Sequence, residues 1–293
     1  MTTPRLFAVD LDGTLLTDTK TYNHEQLDRV LELMAAEGSH LAIATGNQMP
    51  KVDEYLAGHE HHANLHYIAE NGAIIHNQGR DLALWGFSPQ LVHGTLEALH
   101  QHPEIGIIVS CRHHSYIPAD RLDIISAIVH SHLSATGMEI PGCDPADPLS
   151  VVRPFYPNVE TIDDVEAITD TVVKIALNTD SSADVYKTMS MLEETLPKGI
   201  TPTSSGFGAI DLILTGNHKG HGLSWLADYL GIPQSQTIAY GDSGNDLEMF
   251  QYAAIAIAME ESDPRLLAEA NFSIGSNRDG AVLDHIEKTL TDS

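Results

Sequence analysis

The sequence predicts an α/β protein: a parallel sheet with helices on both faces, interrupted by an inserted α+β module. Three observations predict it. Short apolar runs at Leu6-Phe7-Ala8-Val9, Leu41-Ala42-Ile43-Ala44 and Thr237-Ile238-Ala239-Tyr240 each run into a polar turn. That is the pattern of buried parallel strands whose carboxyl ends meet at one rim. Segments of helical periodicity separate these runs. Between them, over residues 83–211, helices and strands continue, but no strand end carries carboxylates, as expected of a separate module. A chain of 293 residues is long enough for two domains. The expected division is 1–82 with 212–293 as a core and 83–211 as the insert.

The elements follow in order. Asn23 is placed to cap a helix over 24–37, with Leu27, Val30, Leu31 and Met34 as its apolar stripe and Gly38 as its stop. After Thr45-Gly46-Asn47, a helix is expected over 49–57. Tyr67-Ile68-Ala69 and Ala73-Ile74-Ile75 flank Glu70-Asn71-Gly72, where Asn-Gly signals a hairpin turn. The insert reads as a helix over 89–100, a strand over 105–109, a helix over 121–135, a Pro/Gly-rich stretch, a strand over 172–177, a helix over 182–195 and a strand over 209–214. Gly206-Phe207-Gly208 reads as a hairpin turn, because no helix opens after it as a dinucleotide site requires. Alternation resumes with a helix over 223–230, the strand at 237–240, a strand over 254–258 and a final helix.

Composition limits the function. Net charge is −26, from 15 Lys and Arg against 41 Asp and Glu, which argues against nucleic acid and anionic membrane partners. An anionic substrate would need local compensation by a cation, a lysine and backbone N–H groups. No run of 18 apolar residues and no basic-then-apolar N-terminus is present, so a cytoplasmic protein is expected. Cys111 and Cys143 read as free thiols in a reducing compartment. Among 17 histidines, His59-Glu60-His61-His62 lacks zinc-motif spacing and reads as a solvated loop. His113-His114 also reads as a loop. The insert carries few cations, chiefly Arg112, Arg121, Arg153, Lys174, Lys187 and Lys198, which disfavours polyanionic substrates.

The chemistry starts at Asp10-Leu11-Asp12-Gly13-Thr14. Two carboxylates lie two residues apart at a strand end, and period-two geometry directs both to one side. Like charges that close need a cation or a shared proton. Thr45 follows the second strand, and Asp242 and Asp246 follow the third, so all can meet at one rim. Carboxylates without cysteine or paired histidine favour a hard cation, and Mg²⁺ is the natural candidate. One aspartate is then free to act as a nucleophile and another to move protons.

Four segments in order, DLDGT at 10–14, ATGN at 44–47, HKG at 218–220 and GDSGND at 241–246, resemble the motifs of the haloacid dehalogenase superfamily. The long gap between the second and third resembles the large cap (subclass IIB) of its Cof-type phosphatases, as do Glu70-Asn71-Gly72-Ala73 and Asn277-Arg278-Asp279-Gly280-Ala281-Val282. The resemblance spans the chain. It implies a Rossmann-like core and an α+β cap that sets specificity. It also implies Asp10 as nucleophile and Mg²⁺ ligand, and Asp12 as general acid/base, binding Mg²⁺ through its carbonyl. Thr45 and Gly46 would bind the substrate phosphate, and Lys219 would pair with Asp10 and the developing charge. Asp242 would bind Mg²⁺ directly, and Asp246 directly or through water. Asp12 separates the chain from dehalogenases, which lack it. The implied activity is a Mg²⁺-dependent phosphomonoesterase acting on small phosphorylated metabolites through a phosphoaspartyl intermediate. A sugar phosphomutase or phosphotransferase and a non-catalytic phosphometabolite sensor stand as alternatives, and no oligomeric state is implied. Two places depart from the family: Asn47 stands where arginine is frequent, and Met259-Glu260-Glu261-Ser262 replaces Met-Gly-Asn-Ala.

Overall fold

The first strand, β1 (Leu6–Val9), is buried along its whole length, which suits an apolar run flanked by partners on both sides. A computed structural model places it, and describes residues 3–136, 144, 147–179, 184–204 and 209–292 (without the side chains of 132 and 134–136). Cys143 and the Gly206-Phe207-Gly208 segment lie outside the described residues. Helix α1 (His24–Glu37) has the expected bounds. The Asn23 side chain accepts from the Gln26 N–H, and Gly38, at φ 75°, ends it in the left-handed region. Then follow β2 (His40–Ala44), α2 (Met49–Tyr55), β3 (Leu65–Ala69), β4 (Ile74–Asn77) and β5 (Arg80–Leu84).

Next come α3 (Pro89–Leu99), β6 (Gly106–Cys111), β7 (Ser115–Pro118), α4 (Leu122–Thr136), β8 (Val159–Ile162), β9 (Val172–Asn178), α5 (Val185–Thr195), β10 (Ile200–Ser204) and β11 (Ala209–Leu214). The chain closes with α6 (Lys219–Leu230), β12 (Thr237–Gly241), α7 (Leu247–Tyr252), β13 (Ile255–Met259), α8 (Pro264–Glu269), β14 (Phe272–Ile274) and α9 (Ala281–Thr291). No helix among the described residues is long and apolar enough to cross a membrane.

The described chain forms two compact units, Met1–Asn47 with Val52–Leu84 and Gly216–Ser293, and Gln48–Lys51 with Trp85–Thr215. The expected boundaries at 82 and 212 would cut through β5 and β11, whose ladder bonds keep each strand with its own sheet. Residues 48–51 join the second unit as well, which no turn or composition signal marks. There, Gln48 Nε2 donates to the Phe155 carbonyl, and the Ser115 hydroxyl donates to Gln48 Oε1.

The first unit holds an eight-stranded sheet in the order β14-β13-β12-β1-β2-β3-β4-β5. The pairings from β14 through β3 are parallel, while β4 and β5 add antiparallel strands at one edge. Glu70-Asn71-Gly72 makes the β3–β4 turn, with φ of 51° and 54° at Glu70 and Asn71. Strand β1 sits between β12 and β2, so the turns after these three strands are neighbours. Helix α1 packs on α9, whereas α6 packs on α7 and α7 on α8.

The second unit is a six-stranded sheet, β10-β11-β9-β6-β7-β8, antiparallel except for β7–β8. Side chains alternate across it: Ile107 and Val109 join Leu96, Leu99 and Leu192 of α3 and α5, while Ile108 joins Ile125 of α4. Several of its cations are already committed. Arg121 donates to the carbonyls of His102, Ile105 and Leu99, Arg153 pairs with Asp147, and the buried Lys174 lies 3.4 Å from Asp211.

Candidate active site

Strand β1 delivers Asp10 to the rim of the first sheet, where the Asp10 N–H still donates to the Tyr240 carbonyl of β12. The chain then leaves strand geometry. Gly13 adopts φ 82°, and a Cβ there would lie 2.4 Å from Asp242 Oδ2, so only glycine allows the turn to close on that carboxylate. The Thr14 hydroxyl donates to Asp242 Oδ1 at 3.2 Å.

The aspartates divide into two groups. Asp10, Asp242 and Asp246 each offer an oxygen, and these atoms lie within 4.8 Å of one another. Lys219 Nζ donates to Asp10 Oδ1 at 2.6 Å and to Asp246 Oδ1 at 2.7 Å. The second oxygen of Asp246 accepts from the backbone N–H groups of Asp242 and Ser243, both at 3.1 Å. Asp246 is thereby partnered on both oxygens and fully buried, which suits it to positioning Lys219 and the 242–243 turn. Asp12 is elsewhere. The turn that follows Val9 breaks the period-two alternation, and the Asp12 carboxylate instead accepts from Asn47 Nδ2 at 2.6 Å and pairs with Lys20.

Lys219 opens α6 four residues before the expected start, because His218 caps the helix by accepting from the His221 N–H. A cation at a helix N-terminus opposes the macrodipole, so the two carboxylates must hold it there. Gly220 follows because a Cβ at that position would meet the Glu248 carbonyl at 2.3 Å. The HKG triplet is therefore a cap, a buried cation and a close helix contact.

Thr45 is buried after β2, with its hydroxyl 3.0 Å from both the N–H and Nδ2 of Asn47. Asn47 thus links Thr45 to Asp12, a role that the absence of arginine there concealed. Asn71 reinforces this rim: its N–H donates to the Thr45 carbonyl, and its side-chain oxygen accepts from Asn245. Gly46 lies between Thr45 and Asn47 in the same turn. At the second departure from the family pattern, Glu261 pairs with Arg278, which also pairs with Asp18, so this acid points to an exposed ion pair and not to the aspartate cluster.

Three carboxylates face one ammonium, leaving two negative charges in excess. Burial raises the Asp10 carboxyl well above its ordinary range, with Asp246 and Asp242 adding to the shift and Lys219 opposing it. Asp242 is pushed up to about 7, by burial first and by Asp246 second. Burial works against the Lys219 charge, but Asp10 and Asp246 outweigh it and raise its pKa above the usual lysine value. All-oxygen donors with uncompensated negative charge fit a hard divalent cation, and Asp10, Asp242 and Asp246 could hold one.

Fold and site together define a class: an α/β protein with a lysine-bridged aspartate cluster at the carboxyl rim of its parallel strands. The family model of haloacid dehalogenase-like hydrolases matches residues 7–286. A 5-amino-6-(5-phospho-D-ribitylamino)uracil phosphatase of Escherichia coli is 30% identical over 286 residues, covering 98% of this chain and 96% of that one. A pyridoxal phosphate phosphatase of the same organism is 25% identical over 295 residues, covering 98% and 99%. A solved haloacid dehalogenase-like hydrolase from B. subtilis is similar with a TM-score of 0.77 at 21% identity, over 97% of this chain and 99% of that one, which shows a common fold. The chain belongs to the haloacid dehalogenase-like hydrolases, in their Cof-type phosphatase branch.

Proposed function

We propose that this protein is a Mg²⁺-dependent phosphomonoesterase of small phosphorylated metabolites, acting through a phosphoaspartate on Asp10. The observation that carries this reading is the Lys219 ammonium held between Asp10 and Asp246 at the strand rim. Asp10, Asp242 and the carbonyl of Asp12 would hold Mg²⁺, with Asp246 beside them. When bound, the ion neutralises the excess carboxylate charge and charge on the phosphoryl oxygens.

Thr45, Gly46 and Lys219 orient the phosphoryl group. The Asp10 carboxylate forms a bond to phosphorus as the bond to the leaving oxygen breaks, and Asp12 gives its proton to that oxygen. Asp12 then takes a proton from water, the water oxygen bonds to phosphorus, and the Asp10–phosphorus bond breaks to free phosphate. The second unit serves as the cap that selects the leaving group. Its committed cations and the net charge favour monophosphates, such as the ribitylaminouracil and pyridoxal phosphates named for relatives.

A phosphate-release screen over phosphorylated metabolites with Mg²⁺ tests the function directly. Release from at least one small monophosphate is expected, and binding without release from any would replace the enzyme reading with a sensor. Removal of divalent ions by EDTA is expected to abolish turnover, and Mg²⁺ to restore it; full activity after exhaustive chelation would eliminate the metal.

The raised Asp242 carboxyl has a consequence for stability. A carboxyl held above its ordinary pKa favours the fold while protonated, and that contribution is lost as pH rises through about 7. The metal-free protein is therefore expected to lose a few kcal/mol between about pH 4 and 7. Mg²⁺ is expected to raise the melting temperature more at pH 8 than at pH 6, and an equal rise at both would remove this account.

Asn47→Ala tests the positioning of Asp12. The variant is expected to lose at least about tenfold more kcat/KM, which covers the steps up to loss of the leaving group, on alkyl phosphates, whose leaving oxygen needs a proton, than on p-nitrophenyl phosphate, whose leaving group needs none. Equal losses on both substrates would point to a general structural effect instead.

A further inference from the structure

We propose that Asp28, His59 and His62 form a second metal site, suited to a borderline divalent transition ion of the Zn²⁺ type and sharing no residue with the aspartate cluster. The segment His59-Glu60-His61-His62 is a loop, as the sequence reading has it, with Glu60 and His61 exposed, but His59 is only 3% exposed and so is not solvated. Helix α1 places His24 and Asp28 one turn apart on a single face. The connection between α2 and β3 folds back on that face in a tight turn, in which the His62 N–H donates to the His59 carbonyl.

Two imidazole nitrogens converge on one carboxylate oxygen. Asp28 Oδ1 lies 2.7 Å from His59 Nδ1 and 3.1 Å from His62 Nε2. The three ligand atoms lie within 4.8 Å of one another. The far side of the His59 ring is fixed as well: its Nε2 is 3.0 Å from His24 Nδ1, and the two rings stack with centroids 5.3 Å apart and planes inclined by 13°. A ligating imidazole held through its other nitrogen is the arrangement that sets ring orientation at metal centres.

The distances are near those a metal requires. Donors around tetrahedral Zn²⁺ lie about 3.3 Å apart, given bonds of about 2.0 Å. The two Asp28–imidazole pairs need only open by about 0.2–0.6 Å, while His59 Nδ1 and His62 Nε2 lie within 4.8 Å of each other, and Asp28, with a side chain 45% exposed, is free to move outward. One cation would then replace the protons shared between Asp28 and the two rings. Two imidazoles and a carboxylate select Zn²⁺, Ni²⁺, Co²⁺ or Cu²⁺ over Mg²⁺. Three protein ligands leave a fourth position for water. Occupancy would fasten the turn at 59–62 to α1 and stabilise the fold by mass action.

The test uses the full chain, stripped with EDTA and titrated with Zn²⁺ in excess Mg²⁺, so that Mg²⁺ occupies the aspartate cluster. Co²⁺ serves as a second probe, because a four-coordinate site gives intense visible bands and a six-coordinate one does not. The proposal expects one Zn²⁺ equivalent, bound equally by the wild type and by Asp10→Asn, and four-coordinate Co²⁺ bands. His62→Ala and Asp28→Asn should keep the far-ultraviolet circular dichroism and bind Zn²⁺ at least about tenfold more weakly. Equal Zn²⁺ affinity in these variants, or a wild type that binds no Zn²⁺, overturns the site. Loss of the Zn²⁺ equivalent in Asp10→Asn alone also overturns it, because zinc would then occupy the aspartate cluster.

Discussion

Asp10→Asn is expected to abolish phosphate release, by at least about 10⁴-fold in kcat, while leaving the protein folded. The amide is nearly isosteric but cannot attack phosphorus. The structure adds a second expectation that a surface aspartate would not carry. Burial and the neighbouring Asp246 and Asp242 disfavour the Asp10 charge, even with Lys219 beside it. Removing that charge relieves the excess of carboxylates over ammonium, and Lys219 keeps its 2.7 Å contact with Asp246. The metal-free variant should therefore melt no lower than the wild type, and higher above neutral pH, where the wild-type carboxylates are ionised. Wild-type turnover would eliminate the phosphoaspartate mechanism. Loss of turnover with a lowered melting temperature would instead mean that Asp10 holds the fold.

Lys219→Met carries the largest expected effect on stability. Methionine fills much of the same volume, but two carboxylates then face each other without the ammonium that lies within 2.7 Å of both. Removing one partner of a buried ionic cluster costs about 3–5 kcal/mol. Activity should fall by about 100- to 1000-fold, the usual effect of losing one stabilising contact to a developing charge. Combining Lys219→Met with Asp10→Asn should recover part of the stability and none of the activity, since the double variant has one fewer unpaired carboxylate. Thermal melts of the four proteins of this cycle provide the check. Strictly additive losses would show that Lys219 and Asp10 do not act on each other.

Much of the first unit is legible residue by residue. Asn23 and Gly38 bound α1 because capping is a local matter of one side chain and one backbone angle. β1, β2 and β12 are legible because strands buried on both faces are short and uniformly apolar. The edge strand β5 is not: Arg80–Leu84 has no buried residue and no clear alternation. Strands β7, β8 and β10 are hidden for a related reason, since prolines at 118 and 202 and polar residues mark them as loop.

Within the site, sequence alone indicated that Asp10, Asp12, Thr45, Lys219, Asp242 and Asp246 follow strands or open a helix at one rim; the structure gathers Asp10, Asp242 and Asp246 and turns the Asp12 carboxylate to Asn47 and Lys20. Strand order and local spacing suffice for the shared rim, because neighbouring parallel strands bring their carboxyl ends together. Only the tertiary structure decided how they pair. Lys219 joins Asp10 to Asp246 across separations of 209 and 27 residues, and Asn47 reaches Asp12 across 35. The same holds for Asp28 and His59, which are 31 residues apart. Partner choice depends on which side chain fills the space opposite a buried charge, and that space exists only once the helices and turns have packed.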